Sequence, residues 1–130
     1  MTRLTIRIDF DDAKGFGPGK VRLLELIEQH GSIRSAAAAM NMSYRHAWLL
    51  LQAVEDTFGA PVMTTATGGA KGGGAKLTEL GKSIIARYRA IEKEAAKAAA
   101  SELSELTKVA TGSTATADER AGKRRERAQR

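Results

Sequence analysis

Cysteine is absent from these 130 residues, which excludes disulfide bridges and thiolate metal sites and suits a reducing compartment. The two histidines, His30 and His46, stand too far apart to build a zinc site by themselves. No apolar run reaches the ~18 residues of a membrane span. The opening "MTRLTIRIDFDD" is charged throughout, unlike a secretory signal. A soluble, cytoplasmic chain with no membrane partner is therefore expected. Aromatic residues make up only 5%, so the core must be built mostly of Ala, Leu, Ile and Val. Paired carboxylates, a Ser/His/Asp order and metal-ligand spacing are all missing, and the chain reads as no enzyme and as needing no cofactor.

Phosphate chemistry is nevertheless suggested by "TATGGAKGGGAKLT", residues 65–78, where five of thirteen glycines fall between Gly68 and Gly74. A nucleotide-binding loop requires G-x-x-x-x-G-K-[ST] between a strand and a helix. Here Lys71 precedes Gly72 and Lys76 precedes Leu77, so neither lysine stands in that context. No G-x-G-x-x-G and no βαβ alternation appear either. Net charge is +6, but residues 1–107 hold 14 Lys/Arg against 12 Asp/Glu, and residues 108–130 hold 7 against 3. Most of the excess sits in the last 23 residues, so the net charge is weak evidence for nucleic acid on its own.

"LTIRIDF" alternates Leu4, Ile6, Ile8 and Phe10 with polar residues, the period of a half-buried strand. Lys20 to His30 carries Val21, Leu23, Leu24, Leu26 and Ile27, an amphipathic helix closed by Gly31. His30 is placed to stabilise that helix's C-terminus. Ser32 stands as an N-cap before a short helix with Ile33, Ala36, Ala37 and Met40 at i, i+3, i+4 and i+7. Asn41, tolerant of a left-handed backbone, interrupts it. Ser43 then caps a third helix with an expected buried stripe of Tyr44, Ala47, Trp48, Leu51, Val54 and Phe58. "VMTTAT" reads as a strand, the glycines as a loop, and residues 75–77 as a short second strand. Thr78 caps a long helix with a near-heptad stripe of Leu80, Ile84, Tyr88, Ile91, Ala95 and Ala98, which implies a partner helix. Beyond Lys108 apolar anchors are scarce and disorder is expected.

Two helices joined by the three-residue turn "MNM", followed by strand, glycine loop, strand and helix, make a winged helix-turn-helix. The expected fold is α+β, mainly α, with an N-terminal strand, a two-stranded wing and a long C-terminal dimerisation helix. Residues 1–107 form the DNA-binding domain, including the dimerisation helix at about 78–107, and residues 108–130 a disordered basic tail. The recognition helix, about 43–58, would offer Ser43, Tyr44, Arg45 and His46 to a major groove, with Gln52 further along. Arg45 suits guanine O6/N7 and Gln52 suits adenine. Arg34 and Ser35 on the preceding helix suit phosphates.

"SIRSAAAAMNMSYRHAWLLLQAVE" with "ATGGAKGGGAKLTELGKSII" resembles the N-terminal DNA-binding domain of the ModE family of molybdate-responsive transcriptional regulators. The SYxxAW helix start, the ATGGxxGGG wing and the LTxxG helix opening carry the match, which covers roughly residues 4–105. The resemblance implies DNA binding and homodimerisation. The family senses molybdate or tungstate through C-terminal β-barrel modules. The roughly 25 polar residues after the last helix of this chain leave no place for one, so neither oxyanion is expected to bind it directly.

The expected function is therefore a homodimeric, sequence-specific regulator of double-stranded DNA. The wing, residues 67–76, would bring Thr67, Lys71 and Lys76 to phosphates or the minor groove. Trp48 is expected in the core, and the Tyr44 ring is split between packing and offering its hydroxyl to a phosphate. "KRRER" would add non-specific affinity through counterion release. The competing expectation is a winged-helix protein-interaction module, or an architectural DNA binder without its own operator.

Overall fold

Residues 2–11, 15–66 and 73–111 are described by the structure, a computed structural model. Five helices and two strands follow in order: α1 (Pro18–His30), α2 (Ile33–Ala39), α3 (Tyr44–Phe58), β1 (Met63–Ala66), β2 (Gly74–Leu77), α4 (Glu79–Ala98) and α5 (Ala100–Thr111). Leu4–Lys93 make one compact unit. The described residues before and after it in sequence, 2–3 and 94–111, belong to a second.

The first unit is assembled on α1, which buries Val21, Leu23, Leu24, Leu26 and Ile27. Against it lie the small face of α2 (Ile33, Ala36, Ala37) and one face of α3 (Ala47, Leu51, Val54). Val62, Met63, Leu77, Ile84 and Tyr88 complete an apolar core. Four of the six aromatic residues form a chain of edge-to-face contacts, Phe10 on Phe58, Phe58 on Phe16 and Phe16 on Tyr88, with centroids 5.5 to 5.7 Å apart. The buried Tyr88 hydroxyl donates to the carbonyl of Ile6 at 2.6 Å, so its desolvated oxygen is satisfied. Burial, then Glu92, raises its pKa.

The expected N-terminal strand reduces to a single bridge, Ile8 with Phe16. The alternation is real, since Leu4, Ile6 and Ile8 are half-buried and Thr5, Arg7 and Asp9 exposed. Among the described residues no second strand pairs with it. β1 and β2 pair antiparallel with Met63 opposite Leu77 and Ala66 opposite Gly74. Gly31 closes α1 with φ +74°, a left-handed position suited to glycine. Its carbonyl then accepts the Ala75 N–H at 2.8 Å and ties the hairpin to the end of α1.

The entry to α4 explains the LTxxG spacing. Thr78 Oγ1 accepts the Gly81 N–H at 3.1 Å as an N-cap and donates to the Pro61 carbonyl at 2.8 Å. The Thr78 N–H donates to the Val62 carbonyl, and a Cβ at position 81 would fall 2.3 Å from that same oxygen. Only glycine allows the helix to start so close. Further along α4, Arg89 grips Glu25 of α1 through two hydrogen bonds, at 3.0 and 2.5 Å, and Glu92 through a third. The guanidinium of Arg89 holds the Glu25 carboxyl below the usual range.

In the second unit the expected continuous helix is divided at Ala99. The Ala99 N–H still donates to Ala95, and its carbonyl accepts from Leu103, so hydrogen bonding runs on through the break. Helix α5 extends to Thr111, so residues 108–111, expected in a disordered tail, are helical. Leu106 and Val109, one turn apart on α5, are exposed. The rest of that expected tail lies outside the described residues.

Candidate nucleic-acid interface

Serine caps set the geometry of the turn between α2 and α3. Ser32 Oγ accepts the Ser35 N–H and Ser43 Oγ accepts the His46 N–H, both at 3.0 Å. Each removes one orphan donor at a helix start and fixes where the first turn points. Between the helices Asn41 adopts φ +54°, and the Met42 N–H folds back to Ala37 at 3.0 Å. The turn is therefore tight, and the start of α3 projects from the unit.

Ser43, Tyr44, Arg45 and His46 are all exposed, as expected for the recognition-helix start, and so are Arg34 and Ser35. Gln52 is half-buried one turn beyond Leu49. Arg34 lies over the Tyr44 ring, with its guanidinium carbon 5.4 Å from the centroid. This cation–π pair joins α2 to α3 on the outside of the molecule. Lys76 is exposed and lines a concavity with Glu28, Gly31, Ala75 and Lys82. Thr67 and Lys71 lie outside the described residues.

Trp48 corrects the expected core. It is 39% exposed, and Tyr44 is 47% exposed, so the two aromatic residues outside the edge-to-face chain both reach the surface. At 100° per residue Trp48 sits about 90° from the centre of the Ala47, Leu51 and Val54 row. The apolar stripe of α3 is thus narrower than six residues. Tyr44 and Trp48 instead line an open hollow of about 830 Å³ between the starts of α2 and α3 and the hairpin residues Thr65, Ala66 and 73–75.

Leu49 shares the exposed surface of α3: it is 54% exposed and lies about 170° from the buried row. The signal was available in the helical period, since Arg45, Leu49 and Gln52 stand at i, i+4 and i+7. No aspartate or glutamate occurs from Gln29 to Val54. The next acid, Glu55, is turned to the fold and accepts the Val62 N–H at 2.8 Å. The whole projecting face is therefore free of negative charge and carries Arg34 and Arg45. Among the described residues no group of three or more His, Asp or Glu is placed to hold a metal ion.

Comparison with known proteins agrees with this geometry. Residues 19–82 match the bacterial regulatory helix-turn-helix protein model of the lysR family. The chain is 37% identical over 113 residues to the molybdenum transport protein ModE of Azotobacter vinelandii, covering 85% of this chain and 42% of that protein. It is 47% identical over 81 residues to the molybdenum-pterin-binding protein MopB of Rhodobacter capsulatus, covering 62% and 30%. It thus spans less than half the length of these curated relatives. Among solved structures the CbnR DBD–DNA complex superposes with a TM-score of 0.53 at 17% identity, over 68% of this chain and 95% of that one, a likeness of fold.

Proposed function

We propose, from the match of residues 19–82 to the lysR-type family of bacterial regulatory helix-turn-helix proteins, that this chain is a sequence-specific, DNA-binding transcriptional regulator acting as a homodimer. The observation that carries it is the first half of α3: projecting, exposed, free of acidic residues and held by the Ser43 cap. A duplex presents a groove wide enough for such a helix and a phosphate backbone that attracts its cations.

In this arrangement Arg45 forks onto a guanine edge and Gln52 reaches a base further along the groove. His46 lies beside them, and Ser43 contributes mainly by fixing the helix start. Arg34, Ser35 and Tyr44 border the hollow between α3 and the hairpin, a suitable channel for one sugar–phosphate strand. Thr67 and Lys71 would carry the wing contacts. Lys76, exposed on β2, would add a further cation to them.

The apolar residues left exposed on α5, Leu106 and Val109, supply the dimer contact. Its site of action is cellular DNA in the cytoplasm, and this reading gives molybdate and tungstate no direct part in DNA binding.

Selection of bound duplexes from random sequence, with and without molybdate, tests the proposal. A single enriched, pseudo-palindromic motif is expected in both cases, and Arg45→Ala should flatten preference at one base pair of each half-site by about 1–3 kcal/mol. Enrichment of no motif at low salt would instead favour a protein-interaction or architectural role. A motif that changes with molybdate would place an oxyanion site on the chain after all.

A further inference from the structure

Leu49 occupies the outermost line of α3, opposite its buried face, between Arg45 one turn before and Gln52 one turn after. It is more exposed than either Tyr44 or Trp48 and does not line the hollow that they share. A single exposed leucine is ordinary on a protein surface. This one stands in the middle of a row whose other members are an arginine and a glutamine, in a segment without acidic residues. Water gains nothing from a leucine there, whereas the floor of a major groove offers one apolar group, the C5-methyl of thymine.

We propose that Leu49 is a specificity-determining residue that reads a thymine methyl in the major groove. The proposal rests on the DNA-binding reading and deepens it. Arg45 and Gln52 hydrogen-bond to base edges on either side, and the isobutyl group of Leu49 covers the methyl between them. Preference at that base pair then comes from apolar contact and not from hydrogen bonding. The base pair lies between those read by Arg45 and Gln52, because the three residues climb the helix in that order.

The test replaces each thymine of a selected duplex in turn by deoxyuridine, which lacks only the methyl, and measures affinity for three proteins. The unaltered protein should lose about fourfold at one thymine of each half-site, the worth of one methyl-sized group removed from water. Leu49→Ala, a change to the best helix former at an exposed position, should bind the parent duplex equally weakly and ignore the substitution. Leu49→Met, which keeps an apolar side chain of similar volume, should retain the discrimination. If no thymine-to-uracil change affects the unaltered protein, or if Leu49→Ala remains as sensitive, the assignment of Leu49 is wrong while DNA binding stands. Failure to select any duplex overturns both.

Discussion

The guanidinium carbon of Arg34 lies 5.4 Å from the centre of the Tyr44 ring, so the first exposed arginine of α2 rests on the first residue of α3. The contact couples the two helices of the helix-turn-helix at the surface where a phosphate strand is proposed to pass.

Replacing either partner should therefore weaken DNA binding more than it weakens the fold. Arg34→Ala and Tyr44→Ala are each expected to change stability by about 0.5 kcal/mol or less, as exposed residues do. In a double-mutant cycle on DNA affinity the two losses should fall short of adding, with a coupling of about 0.5–1 kcal/mol. Arg34→Ala should also reduce the slope of log affinity against log salt by about 1. Strict additivity in the cycle would show that the pair does not act on DNA as a unit.

Trp48 is the sole tryptophan of the chain and is 39% exposed beside the same hollow. Its fluorescence should be accessible to acrylamide in the free protein and shielded once a bound duplex fills the hollow. The measurement needs no variant. Unchanged quenching at saturating DNA would place the strand elsewhere.

Gly81 is expected to tolerate no side chain. A Cβ 2.3 Å from the Val62 carbonyl cannot be accommodated by a flexible neighbour, because the obstacle is backbone. Gly81→Ala should cost at least about 1–3 kcal/mol in urea denaturation, despite alanine's better helix propensity. Gly19, where an added Cβ would meet nothing within 4 Å, is the control. Its change to alanine should not lower stability on packing grounds.

The Glu25–Arg89 pair predicts an acid-sensitive increment of stability. The folded carboxyl titrates below its unfolded value because Arg89 hydrogen-bonds its charged form. The stabilisation is therefore present above about pH 4.3, the ordinary glutamate value, and is lost as pH falls through the lower folded value. Both side chains are partly solvated, so about 1 kcal/mol or less is expected. Glu25→Gln should remove that part of the pH dependence, which denaturation midpoints between pH 3 and pH 7 will show. An unaltered profile would mean that the pair contributes nothing.

Leu106 and Val109 are 64% and 81% exposed on α5. If they form the proposed dimer contact, the double change Leu106→Glu and Val109→Glu should give a monomer in sedimentation equilibrium. Residues 4–93, the other compact unit, should keep their unfolding transition. A dimer that survives the change would move the contact off α5.

Much of the fold was legible in sequence because it is written in local signals. Ser32, Gly31, Asn41, Ser43 and Thr78 each act within a few residues, through a cap or a left-handed backbone, and each is found as read. The resemblance to ModE regulators stands as well, in the 37% identity to the ModE protein of Azotobacter vinelandii over 113 residues. The glycine wing between residues 67 and 72 lies outside the described residues.

What local signals could not decide is which way a partly apolar helix turns and how long its pairing partners are. Alternation from Leu4 to Phe10 announced a strand, yet among the described residues only Ile8 finds a backbone partner, Phe16, because a ladder needs a second extended segment beside the first. Composition and period placed six residues in the buried stripe of α3. Tertiary packing used Ala47, Leu51 and Val54, with Phe58 at the edge, because the small face of α2 admits α3 over a narrow strip. That choice turned Tyr44, Trp48 and Leu49 outward. The amino-acid sequence by itself determined the caps, the turn and the acid-free segment, since these are properties of neighbouring residues. Only the tertiary structure decided which aromatic and aliphatic side chains fill the core and which are left to meet a partner, since that depends on the surfaces packed against them.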